Sequence, residues 1–77
     1  MKAPNPAIIQ HLREAYPKGA RVRLDQMDDV HAPPIGTEGT IIHVDSLGTV
    51  HVKWDNGSTL GVAGPVEKCT VIRNKAP

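Results

Sequence analysis

The chain has no phenylalanine, and only one tryptophan, one tyrosine and one cysteine among its 77 residues. A lone cysteine excludes an internal disulfide framework and suits a reducing compartment. With so few rings, the stacking platforms that hold single-stranded nucleic acid would be hard to assemble. No apolar run approaches the roughly 20 residues of a membrane helix. The first residues carry one lysine and no apolar stretch, which reads as no secretory signal, so a soluble cytoplasmic protein is expected. An excess of one charge is missing as well. Nine Lys and Arg oppose eight Asp and Glu, for a net charge of +1, whereas phosphate binders usually show a basic excess. A chain this short forms one domain with a modest core, here built from Ile, Val and Leu around Trp54.

What is present falls into alternating segments. Residues 1–4 read as a disordered tail. Asn5-Pro6 is a helix start, since Asn caps and Pro fits the first helical position. Ile8, Ile9, Leu12 and Tyr16 follow at helical spacing, and Pro17 and Gly19 end the helix, giving a helical segment over 5–16. A helix of this length is not stable alone in water, so its apolar stripe must dock on the sheet or on a partner chain. Strands are expected over 20–24, 39–45, 49–54, 58–62 and 69–73, with a long polar loop over 25–36, one helical turn at Val66-Glu67-Lys68, and a tail at 74–77. Val22 and Leu24 face one way and Arg21 and Arg23 the other. In the second strand Ile42 and Val44 are expected inward, and in the third Val50, Val52 and Trp54.

Parity selects the turns. A three-residue loop Asp55-Asn56-Gly57 pairs Trp54 with Ser58, Val52 with Leu60 and Val50 with Val62, all inward. A two-residue turn would expose Leu60 and Val62. The same reasoning makes Ser46-Leu47-Gly48 a loop, sets Val44 against Val50 and Ile42 against Val52, and places His43 opposite His51. Five short strands with this spacing are the plan of a small, mainly β SH3-like barrel over 17–73, preceded by a short α-helix.

The ordered motifs Tyr16-Pro17-Lys18-Gly19, Met27-Asp28-Asp29, Ala32-Pro33-Pro34, Gly36-Thr37-Glu38-Gly39-Thr40 and Val52-Lys53-Trp54-Asp55-Asn56-Gly57-Ser58 resemble the bacterial DUF4314 family. The resemblance covers roughly residues 16–73 and leaves the helix outside the family core. It implies an SH3-like barrel from bacteria, their phages or mobile elements, and it brings no catalytic or ligand residues with it. The Gly-x-x-Gly-Thr loop and the Trp-Asp-Asn-Gly turn are more loosely similar to KOW barrels, which bind RNA or ribosomal and transcription partners, and to Mib/Herc2 barrels, which bind peptides.

Three surfaces are candidates for function. Arg21, Arg23, His43, His51 and Lys53 alternate onto one outer sheet face, able to meet phosphates or an acidic peptide. Asp28 and Asp29 of the first loop, with Trp54, Asp55 and Asn56, make a candidate peptide-contact rim, although Trp54 is itself expected inward. Asp28 or Asp29 is expected to cap a turn or to pair with Arg21 or Arg23. Ile8, Ile9, Leu12 and Tyr16 form a candidate helix interface for self-association. His43 opposite His51 invites a metal, but a structural zinc wants about four ligands, and His31 and Cys69 join them only if the fold allows. No metal and no cofactor is expected. Nothing resembles a nucleophile with its own base and orienting group, and Gly36 and Gly39 lack the Lys-Ser/Thr of a phosphate loop. The expectation is a non-catalytic binding or adaptor module for a protein partner, with a nucleic-acid-binding barrel as the alternative.

Overall fold

Asn5 opens the first element of the computed structural model, which describes residues 5–64 and 67–73. The expected tails 1–4 and 74–77 lie outside the described residues, as does Val66 of the expected helical turn at 66–68, whereas Lys68 opens a strand rather than ending a turn. The side chain of Asn5 accepts a hydrogen bond from the Ala7 N–H at 2.8 Å, and Pro6 fills the first position of helix α1, Pro6–Ala15. This satisfies one of the donors that a helix N-terminus leaves free. Ile9 is buried, and Leu12 and Tyr16 pack against the core, while Ile8 stays 56% exposed. The Arg13 Nε donates to the Val44 carbonyl at 3.2 Å and ties the helix to the sheet. The apolar stripe is therefore mostly occupied by this chain's own core. Burying a side chain such as Ile9 is worth about 1.5–3 kcal/mol, enough to hold a helix too short to persist alone.

Five strands follow: β1 (Arg21–Gln26), β2 (Glu38–Val44), β3 (Val50–Trp54), β4 (Thr59–Val62) and β5 (Lys68–Arg73). They form one antiparallel sheet in the order β4-β3-β2-β1-β5. Buried Val22, Leu24, Ile41, Val52 and Trp54 lie at its centre. The β3–β4 hairpin has the three-residue loop, with Val50 opposite Val62, Val52 opposite Leu60, and the Trp54 N–H bonded to the Ser58 carbonyl at 2.8 Å. Gly57 sits at φ 96°, a conformation glycine adopts without steric cost.

The β2–β3 hairpin departs from strict alternation. Val44 faces Val50 and His43 faces His51, but a register shift between Ile41 and His43 sets Ile41, not Ile42, against Val52. Ile41 is the buried residue and Ile42 is only half-buried. One extra residue in β2 resets which side chains point inward, and two adjacent isoleucines hide the slip from a pattern of apolar positions. Gly39 faces Trp54 across this ladder. A Cβ there would lie 2.6 Å from Val52 Cγ1 and 2.8 Å from Trp54 Cε3. Only glycine leaves room for Val52 and the indole at this position.

No ladder joins β4 to β5 among the described residues, so the sheet is open rather than a closed barrel. Among the described residues, no helix is long and apolar enough to cross a membrane.

Candidate functional site

The outer face of the sheet carries the expected cations, and most of them are already engaged. Arg21 donates to both Asp55 carboxylate oxygens, at 2.9 and 2.5 Å, to Glu38 at 3.3 Å and to the Thr40 hydroxyl at 3.0 Å. The forked bond to Asp55 holds the guanidinium above its ordinary pKa and the Asp55 carboxyl below the usual carboxylate range. Arg23 donates to Asp25 at 3.0 Å. Asp25 also accepts from the Thr70 hydroxyl, and these two bonds, Thr70 first, lower its pKa. Of the two roles expected for Asp28 or Asp29, the turn cap is the one found: Asp29 accepts from the His31 N–H at 2.7 Å, while the arginines pair with Asp55, Glu38 and Asp25.

His43 and His51 stack across the β2–β3 ladder, with ring centroids 4.5 Å apart and planes 12° from parallel. His51 Nε2 lies 2.8 Å from an Asp45 carboxylate oxygen. The bond to His51, with N–H donors from Thr49 and Leu47, pulls the Asp45 carboxyl down to about 2. Parallel stacked rings do not converge their nitrogens on one point, and the described residues contain no cluster of three or more His, Cys, Asp or Glu able to hold a metal. Lys53 is exposed and has no ion pair among the described residues.

The expected peptide-contact rim is taken apart. Trp54 is 1% exposed and donates from its indole to the Leu60 carbonyl at 3.3 Å, so it is core and offers no face to a ligand. Asp55 is committed to Arg21. Asn56 accepts from the Ser58 N–H and hydroxyl within its turn. Asp28 and Asp29 are exposed in the β1–β2 loop, and no hydrogen bond or ion pair links them to the β3–β4 turn among the described residues.

A different concave feature lies away from this rim. A half-open cleft of about 460 Å³ is floored by Leu12, Tyr16, Val50, Val62 and Cys69, with Asp25, Glu67, Lys68 and Thr70 among its polar edges. Its walls come from α1, from β3 and β4, and from β5, so residues of both sheet edges meet there. Burial pushes the Cys69 thiol up to about 11, which leaves it a neutral thiol rather than a nucleophile. Burial also raises the Tyr16 phenol. Of these floor residues, Leu12 and Tyr16 were singled out by their helical spacing. Val50, Val62 and Cys69 carry no local signal, because they stand on three different strands, β3, β4 and β5.

The family described as "Domain of unknown function (DUF4314)" matches residues 5–72, and the chain belongs to it. The match takes in helix α1, which corrects the expectation that the helix lies outside the family core. No curated protein and no solved structure matches the chain.

Proposed function

We propose that this DUF4314 chain is a non-catalytic binding module whose sheet curls into an SH3-like half-barrel, and that it holds an apolar segment of a protein partner in the cleft between α1 and the two sheet edges. The strand order, the pairing of β1 with both β2 and β5, and the meeting of β4 and β5 residues in one cleft support the barrel-like curl. The observation that carries the binding reading is the cleft itself: about 460 Å³, floored by five apolar or weakly polar side chains and edged by a few polar ones. Ligand sites are concave and mostly apolar, with few polar groups to fix orientation. The nucleic-acid alternative loses support from the outer face, because Arg21, Arg23 and His51 are each matched by a carboxylate on the same chain.

Selection of binders from a library of short random peptides, followed by NMR mapping on the isotope-labelled chain, tests this reading. Shifts centred on Leu12, Val50, Val62 and Cys69 that persist as salt rises are the expected result. If no peptide is selected, while a mixed RNA and DNA pool shifts the outer face and is released steeply by salt, the protein-binding reading fails.

A further inference from the structure

Three side chains without a carboxylate partner among the described residues, Arg13, Lys18 and His43, line one cleft. This second cleft, of about 210 Å³, lies between the last turn of α1 and β2 and is lined by Arg13, Tyr16, Lys18, His43 and Val44. Three of these five residues are basic, and none of the three forms an ion pair among the described residues. The nearby carboxylates are otherwise engaged: Glu14 accepts from Gln10 at 3.2 Å, and Asp45 accepts from His51 and its own turn. Arg13 is also oriented. Its Nε is spent on the Val44 carbonyl, which fixes the guanidinium on the sheet and leaves its two terminal nitrogens without a partner among the described hydrogen bonds. His43 is held in place by its stack on His51. A fork already fixed in direction loses less freedom on binding than a free side chain.

We infer that this cleft binds a single oxyanion group, a phosphate or carboxylate, carried by the same protein partner whose apolar segment fills the larger cleft. Tyr16 lines both cavities, so one ligand can reach the two. The volume suits one oxyanion rather than a tracked backbone, and a net charge of +1 offers little to a polyanion. Arg13 supplies the directed fork, Lys18 a mobile ammonium, and His43 a ring N–H donor. This inference rests on the protein-binding reading for the source of the group, but not for the existence of the site.

The test is an NMR titration of the whole chain with inorganic phosphate, then with a short phosphoserine peptide and a short single-stranded RNA. The expected result is a saturable shift of Arg13, Lys18 and His43 with phosphate. Lys18→Gln, which removes no described hydrogen bond, should weaken it about tenfold, the scale of one charge-assisted bond. Arg13→Gln should do the same, with its melting curve recorded to separate lost binding from lost docking of the helix. Equal shifts at Lys53 and Arg73, or an unchanged affinity in Lys18→Gln, overturn the site and leave the apolar cleft untouched. If the two cations serve only the α1 C-terminal dipole, Lys18→Gln lowers the melting temperature and phosphate gives no saturable shift, which also overturns it. Tighter binding of the RNA than of the phosphoserine peptide through these residues overturns the protein source and, with it, the protein-binding reading.

Discussion

Two corners of this small domain contain arginine, and they differ in what surrounds it. Arg21 lies between Asp55, Glu38 and Thr40, and its donors bind the β3–β4 turn and β2 back onto β1. Arg13 leans on a backbone carbonyl and shares its cleft with Lys18 and His43, with no carboxylate aimed at it among the described residues. The first corner spends its charge on holding the chain together, and the second keeps it available. A count of basic residues cannot separate the two, because the difference lies in where the acids fall in space.

The largest way to break the comparison is to remove the support under the Arg21 corner. Trp54→Ala empties the centre of the core next to Asp55, whose N–H bonds the Glu38 carbonyl. It should cost about 3–5 kcal/mol, read from urea unfolding. A smaller loss would mean that the core collapses around the vacancy. Gly39→Ala acts from the other side by driving a methyl into Val52 and the indole. About 1–3 kcal/mol is expected, with the amide shifts of Trp54 and Asp55 moving most. A neutral result would show that β2 can retreat from β3.

Charge removal then sharpens the contrast. Arg21→Gln leaves Glu38 and Asp55 facing each other across the corner and should lower the melting temperature, though less than either core change. Lys18→Gln should leave stability within about 0.5 kcal/mol, so equal losses in the two variants would erase the distinction between the corners. The smallest effect concerns Asp45. Its folded-state pKa, about 2, lies below the ordinary value of 3.8. The stability it contributes is therefore complete above about pH 4 and is lost as pH falls through about 2. Asp45→Asn should be less stable than the parent chain at neutral pH, and the gap should close across that window in acid-unfolding curves. A gap that is constant with pH would show that the carboxylate acts through its turn geometry alone.

Much of the sheet was legible because apolar residues at alternate positions leave few registers open. Val50, Val52 and Trp54 against Val62, Leu60 and Ser58 admit one hairpin loop, and the structure has it. Legibility failed where the pattern is degenerate. Ile41 and Ile42 satisfy either parity, so the bulge in β2 was invisible. The five-stranded, mainly β plan was read from the spacing of strands and turns and is present, while among the described residues no ladder joins β4 to β5. The Arg21–Asp55 pair was hidden for another reason. Arg21 and Asp55 stand 34 positions apart, and nothing local in either segment marks the other. The clefts share this property, since each is walled by elements distant in sequence.

The burial of Trp54 has an optical consequence. It is the sole indole in the chain, it is dry, and its N–H is held by the Leu60 carbonyl across the β3–β4 hairpin. Its emission therefore reports one defined place, the junction of β2, β3 and β4, with no second fluorophore of its kind to blur the signal. Loosening of that junction moves the indole into water and shifts its emission to the red, whereas detachment of α1 alone leaves it in place. The molecule thus carries an intrinsic probe that separates melting of the sheet from undocking of the helix.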